Sequence, residues 1–229
     1  MEKVDLSLGP LELENMTQRT VTVLGQKGSG KTTLLKMIMY QLSVDYPYLG
    51  LYLFDPLSVI RIVGFDRVNV SKRDADKGRA TARLLDRGRD DHLIISLNGM
   101  LQTEQAEYMN DLFGAWHPHD AIIGIDELHD FCPEAGKSGA YCSEVERAVR
   151  HWRNQNVGFI ATSQRPAKIN KDILELSDAL IVHRMSGNRD RSAIEGYLGG
   201  NMESEEISGL MAELPTLQAG EAYKLDFRA

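Results

Sequence analysis

Gly25-Gln26-Lys27-Gly28-Ser29-Gly30-Lys31-Thr32 has the spacing G-x-x-x-x-G-K-[ST] at every fixed position. Glycines so spaced let the backbone curl until its N–H groups face one point, and a helix beginning there adds the positive end of its dipole. That is an arrangement for polyphosphate. Lys31 supplies a cation for the β- and γ-phosphates, Thr32 a hydroxyl for Mg²⁺, and Thr33 completes the set expected to hold ATP. The plain alternative is a glycine-rich turn with no ligand. The flanks weigh against it, because Val-Thr-Val-Leu precedes the loop and Thr-Thr-Leu-Leu-Lys-Met-Ile follows, giving the required strand and helix.

A second constellation stands where the apolar run Ala121-Ile122-Ile123-Gly124-Ile125 stops at Asp126-Glu127. In a parallel sheet the carboxyl ends of the strands line the ligand crevice, so this pair and the glycine loop are expected on one edge. Asp126 suits Mg²⁺, and Glu127 suits polarising an attacking water. An Asp-Glu pair after a strand would otherwise be an ordinary loop start. A third polar residue, Gln164, ends the run Gly158-Phe159-Ile160-Ala161-Thr162-Ser163 and is placed to sense the γ-phosphate or orient water. His129 is read as a helix-start or coupling-loop residue rather than a catalytic one.

The elements that must position these groups alternate along the chain. Apolar, β-branched runs at residues 20–24, 50–54, 92–96, 121–125, 158–162 and 179–183 predict strands. Helical patterns occupy 31–42, 102–113, 143–154 and 189–198, a charged helix with its turn is expected in 78–91, and a helix start at 203–206. Residues 220–227 alternate and predict a last edge strand. The expectation is an α/β fold, a mainly parallel sheet flanked by helices, in a single domain over 1–229, with 1–19 as an N-terminal extension and 203–229 as a C-terminal helix and strand.

With 229 residues, 42% of them hydrophobic and 26% charged, the composition is that of a globular chain. No run approaches the roughly 20 apolar residues of a spanning helix, nor has the start a signal-peptide core, so the expected location is cytoplasmic, without membrane insertion. Cys132 and Cys142 lack metal-site spacing and read as structural thiols. A net charge of -7 speaks against a surface that coats nucleic acid, but not against a local basic channel.

Taken together, GQKGSGKTT, IIGIDELHDFCPE, RNQNVGFIATSQRP and the closing LPTLQAGEAYKL resemble the HerA/FtsK superfamily of DNA-pumping P-loop ATPases, with Asp55-Pro56 similar to that family's D-P. The DELH stretch also resembles a DExH box, but those helicases need two RecA-like domains and this chain has room for one. The resemblance implies a RecA-like core, ATP held between neighbours in a homo-hexameric ring, and double-stranded DNA in the channel. It implies an arginine finger acting in trans, matched by Arg153, with Arg150 one turn earlier as the fallback. It implies DNA-gripping loops matched by Arg165, with Lys168 and Lys171 beside it, and by Arg189 and Arg191. A core of this size is most similar to the genome-packaging ATPases of membrane-containing icosahedral viruses, which implies capsid or membrane-protein partners, a host-cytoplasmic or virion-associated location, and a channel or capsid-facing role for residues 133–140, including Glu134 and Lys137. A repair or conjugation translocase, and an ATP-regulated assembly module that moves nothing, are the rival readings.

Overall fold

The computed structural model of the chain describes residues 2–5, 15–74, 76–88, 91–134 and 141–227. Its strands are β1 (Glu2–Asp5), β2 (Thr20–Leu24), β3 (Gly50–Asp55), β4 (Asp66–Asn69), β5 (His92–Ser96), β6 (Ala121–Ile125), β7 (Val157–Ser163), β8 (Ala179–His183) and β9 (Glu221–Asp226). Its helices are α1 (Lys31–Asp45), α2 (Gly78–Leu85), α3 (Gln102–Ala115), α4 (Ser143–His151), α5 (Lys171–Glu175), α6 (Asn188–Leu198) and α7 (Ser204–Glu213). The strands form one sheet in the order β1-β9-β8-β2-β7-β6-β3-β5-β4. From β8 across to β4 every pairing is parallel, and β9 runs against both its neighbours. This is the RecA-like α/β architecture.

Apolar runs without alternation are what strands covered on both faces require. Every residue of β2, β3, β6, β7 and β8 is buried. The cover is unequal. On one face α1 sets Leu34, Leu35, Ile38, Met39 and Leu42 against Val21, Val23, Leu51, Leu53, Ile122 and Ile160. On the other, α2 to α7 share a larger core with Phe54, Ile123, Phe159 and Leu180. There Trp152 stacks on Phe113 with centroids 5.2 Å apart, and Trp116 meets Trp152 edge-on at 5.7 Å. Cys132 and Cys142 lie buried in this core, and burial pushes the Cys142 thiol up to about 12, which suits inert packing groups.

Several sequence expectations need correcting. β1 and β4 carry no strong apolar pattern; β4, for instance, is mostly exposed at the sheet margin, so its strand form comes from pairing with β5. β9 is not the edge, because β1 pairs outside it through Glu2↔Lys224 to Asp5↔Glu221. The helix expected over 143–154 ends at His151 and tightens into a 3₁₀ turn at Trp152–Gln155, closed by Asn156 in the left-handed region at φ 58°. Of the proposed capsid-facing loop, Lys137 lies outside the described residues. Among the described residues no helix is long and apolar enough to cross a membrane.

Gly158 near the start of β7 shows how tightly the lower edge is built. A Cβ there would stand 1.8 Å from the Met16 carbonyl oxygen, which is backbone and has little freedom to retreat. Gly158→Ala is expected to lower unfolding free energy by roughly 2 kcal/mol or more, measured as a shift in the denaturant midpoint at constant slope. A midpoint equal to wild type would mean that the turn at Met16 yields freely.

Candidate functional site

The parallel strands all end on one edge, and the groups singled out in the sequence gather there. The loop after β2 is held from both sides: Gly25 N–H donates to the carbonyl of Ser163, the last residue of β7, at 3.2 Å, and Gln26 N–H to the Arg184 carbonyl after β8 at 3.0 Å. Gly28 and Gly30 have φ of 77° and 112°, a region open to glycine at no steric cost, and Gly30 hands the chain to α1. Lys31 is 5% exposed and its Nζ donates to the Gln26 carbonyl at 3.2 Å, closing the loop on itself. Burial lowers the pKa of Lys31, and the nearby carboxylates Glu127 and Asp126 oppose that shift. Gly28, Gly30, Lys31, Thr32 and Thr33 line a cleft of about 640 Å³ whose far wall is His183, Ala219 and Gly220. Ser29 is buried beneath it, while Lys27 is exposed. The wall from the chain's last turn was not anticipated. Gly220 N–H donates to the Ser29 carbonyl at 3.2 Å, so the turn before β9 touches the glycine loop directly.

Asp126 and Glu127 leave β6 two strands away, with β7 between, and Thr162 of β7 connects them. Its hydroxyl donates to Asp126 Oδ1, and the Glu127 N–H donates to that same hydroxyl oxygen at 3.2 Å. A threonine inside an apolar run carries no signal of this role. Asp126 is 2% exposed and burial raises its pKa, with Asp55 at the end of β3 adding to the rise and Lys31 and the hydroxyls of Thr162 and Thr32 countering it. Burial also raises the pKa of Glu127, reinforced by Asp126. The chain turns sharply here, since Glu127 sits at φ 53° and ψ 52°, left-handed for a residue with a side chain, at a cost of order 1–3 kcal/mol. That turn points Glu127 along the edge, where its Oε2 accepts the Gln164 N–H at 3.2 Å.

The basic residues divide into two groups. Arg165 and Lys168 are exposed on the turn after β7, Lys171 starts α5, and Arg189 is exposed at the start of α6. The two loops are stitched together by Ala167 N–H donating to Asp190 Oδ1 at 3.2 Å. Arg191 is committed elsewhere, donating to the Met211 carbonyl and Asn188 Oδ1 and so bracing α6 to α7. Arg153 lies in the turn before β7, at the opposite edge of the sheet from the glycine loop. Its Nη2 meets both Asp178 carboxylate oxygens at 3.1 Å and its Nε donates to the Gln18 carbonyl at 2.9 Å. Arg150 pairs along α4 with Glu146 at 3.2 Å.

Against known proteins, residues 21–185 match the model of the ATPase family associated with various cellular activities (AAA). The chain belongs to the AAA family of ATPases. Over 102 residues it is 31% identical to the DNA double-strand break repair helicase HerA of Pyrococcus furiosus, a stretch covering 44% of this chain and 17% of HerA. The chain thus spans only a small part of that relative. The genome packaging NTPase B204 of Sulfolobus turreted icosahedral virus 2, in complex with ATP-gammaS, superposes with a TM-score of 0.61 at 14% identity, covering 92% of this chain and 93% of that one. Its complex with AMPPCP gives the same TM-score at 15% identity and the same coverage. The HerA likeness expected from the motifs is found in that partial match, B204 shares the fold, and this AAA protein is a P-loop ATPase.

The raised carboxylate pKa values fix a sign for stability. An acid whose pKa is higher in the folded than in the unfolded state is ionised at a cost above its folded pKa, and the cost is relieved as pH falls through that value. Asp126→Asn is therefore expected to raise the melting midpoint of the nucleotide-free protein near neutral pH by a few degrees, with the gap closing towards acid. A lower midpoint, or a gap independent of pH, would show that ionised Asp126 is compensated by its neighbours.

Proposed function

We propose that the chain is an ATP-driven translocase of double-stranded DNA that works as a homo-hexameric ring and packages a viral genome. Gly25 to Thr33 hold ATP in this reading, and Lys31 clamps the transferring phosphoryl group. Glu127 activates the attacking water, Gln164 senses the γ-phosphate, and Thr32 and Asp126 hold Mg²⁺. The residues fit that ion: a hydroxyl and a carboxylate already share a hydrogen bond, and the buried carboxylate lacks the compensating charge a divalent cation would bring. Mg²⁺, when bound, neutralises charge on the β- and γ-phosphates. The chain's own part is to orient the water at Glu127 and to keep Lys31 dry, where its charge acts most strongly.

The observation that carries the motor reading is the shared edge. Arg165, Lys168, Lys171 and Arg189 stand exposed on the turn after β7 and at the starts of α5 and α6, segments cross-linked by Ala167 and Asp190 that follow β7 and β8, the strands whose termini hold the glycine loop. Such cations grip phosphates without reading bases, as movement along any sequence demands. Arg191 contributes by fixing α6 beneath Arg189. Arg153, on the far edge from its own phosphate loop, is suited to a neighbour's ATP and not to its own, with Arg150 behind it. The likeness to B204, a genome packaging NTPase, supports packaging, and a host-cytoplasmic site with capsid or membrane-protein partners belongs to the same proposal. The HerA match supports the second reading, a DNA-repair translocase on the same core.

Turnover measured with and without double-stranded DNA, on a sample of known oligomeric state, tests the motor. DNA should stimulate hydrolysis, and Lys31→Ala should abolish it. Arg153→Ala should bind ATP nearly normally and hydrolyse it about 10³-fold or more slowly. Rings co-assembled from Lys31→Ala and Arg153→Ala should recover activity that neither has alone, because some interfaces then join an intact Lys31 to an intact Arg153. DNA-independent turnover would favour an assembly switch over a motor, and absence of recovery in verified mixed rings would end the role in trans.

A further inference from the structure

Among the described residues, two groups of exposed apolar side chains stand at opposite ends of β3. Beyond its last residue the chain exposes Leu57, Val59 and Val63, with Val63 82% exposed. This loop is not loose. Ile60 is buried in the core on the α1 side of the sheet, with Ile62 and Phe65 packed against that core. The Ile60 N–H donates to Asp55 Oδ2 at 2.8 Å, and Arg67 Nη2 donates to the same oxygen from β4 at 3.0 Å. Arg61 is exposed between Val59 and Val63 in the chain, and its Nη1 donates to the Ile60 carbonyl at 2.7 Å. The result is an apolar knob carrying one cation on an anchored base. Such a surface loses little freedom when a partner covers it.

Before the first residue of β3 stands the complementary shape. Met16, Leu42, Tyr46, Tyr48 and Leu49 line a cleft of about 550 Å³, and Tyr48 is 83% exposed at its rim. Asp45 and Asp120, both exposed, add two carboxylates to the lining. Asn156, three residues after Arg153, belongs to the same wall. An apolar cleft with acidic residues suits, in shape and in sign, an apolar knob that carries an arginine. Six residues of extended chain, about 20 Å, separate the two, so knob and cleft of one copy cannot meet. They meet only between copies, and such a contact is head to tail, each subunit offering one surface forwards and a different one backwards.

We propose that Leu57, Val59 and Val63 of one copy seat in the cleft before β3 of a second copy, with Arg61 facing that copy's Asp45 and Asp120. The inference rests on the ring reading given above and names the contact that builds the ring. Repeated from copy to copy, a head-to-tail contact closes on itself when its rotation divides the circle. β3 and β6 pair side by side and end on the same edge, so the contact also lays the second copy's lower edge over the edge that carries Glu127. Arg153, close in sequence to Asn156 of the cleft, thereby approaches an ATP site that it cannot reach in its own copy.

The test is the mass of the particles in solution, read by light scattering on a sizing column over a range of protein concentrations with ATP present. Val63→Glu on the knob and Tyr48→Glu on the cleft should each raise the concentration needed for assembly by about tenfold or more. Both side chains are exposed, so the melting midpoint of the unassembled chain should stay within about two degrees of wild type. Mixed one to one, the two variants should form dimers and go no further. One kind of junction is then intact, the knob of Tyr48→Glu in the cleft of Val63→Glu, and a ring cannot be built from it alone. Arg61→Asp should weaken assembly, and adding Asp45→Arg to the same chain should restore part of it. Rings of wild-type size in both single variants would overturn this contact while leaving the ring, and would assign the knob to a different partner. Dimers from either variant alone, or none in the mixture, would overturn the head-to-tail arrangement. A wild type that stays monomeric with ATP and DNA would overturn the ring reading and this one with it. Should Tyr48→Glu fail to fold, Asp45→Arg takes its place in the mixture.

Discussion

Asp126 is a carboxylate with almost no solvent around it, and the edge of the sheet is organised by what that requires. Ionised and alone, it would cost several kcal/mol to bury. Here the hydroxyls of Thr162 and Thr32 bond to it and the Lys31 ammonium stands close enough to counter the rise in its pKa. These contacts come from two parts of the chain: Thr162 from β7, Thr32 and Lys31 from the start of α1. Satisfying one carboxylate therefore draws together the glycine loop, the strand carrying Asp126 and the strand that carries Gln164. The remaining imbalance, shown by pKa values that stay raised for both Asp126 and Glu127, is what a site built to receive a cation and phosphates would carry before they arrive.

The unequal cover of the sheet follows from the same edge. α1 must begin at Lys31 to aim its N-terminus at the cleft, and it covers one face with help from Met16 and Ile60, leaving Met37, Tyr40 and Val44 on its outer side exposed. The larger face carries the helices that follow the ends of β7 and β8. Those helices begin where the basic residues stand, so the loops proposed to grip DNA rest on the rigid part of the molecule and not on a detached arm. Arg153 shows the converse at the lower edge. Two bonds to Asp178 and one to the Gln18 carbonyl hold its guanidinium in a single orientation.

Much of this was legible in the sequence, and the reasons differ from residue to residue. The glycine loop and the Asp126-Glu127 pair could be read because their chemistry demands fixed residue types at fixed spacing beside strongly apolar strands. Strands buried on both faces announce themselves by unbroken runs such as Ala121 to Ile125. β1 and β4 did not, because a short exposed strand owes its form to its partner and not to its own residues. Thr162 was invisible for a related reason: in an apolar strand a threonine looks like any β-branched residue, and only the register that sets it level with Asp126 gives its hydroxyl a task. The bond from the Glu127 N–H to Thr162 and the contact of His129 with Ser163 likewise come from three-dimensional neighbours more than thirty residues away.

The position of β2 in the middle of the sheet has a consequence for how the protein comes into being. β2 pairs only with β7 and β8, and the loop that follows it is completed by contacts from Ser163, Arg184 and Gly220. A ribosome delivers the glycine loop first and these supports last. The first strand of the core must wait unpaired while β3, β5 and β6 find one another, and closing loops of that length slows the search. ATP can therefore have no part in guiding the early chain, since the cradle that would recognise it is among the last things to form.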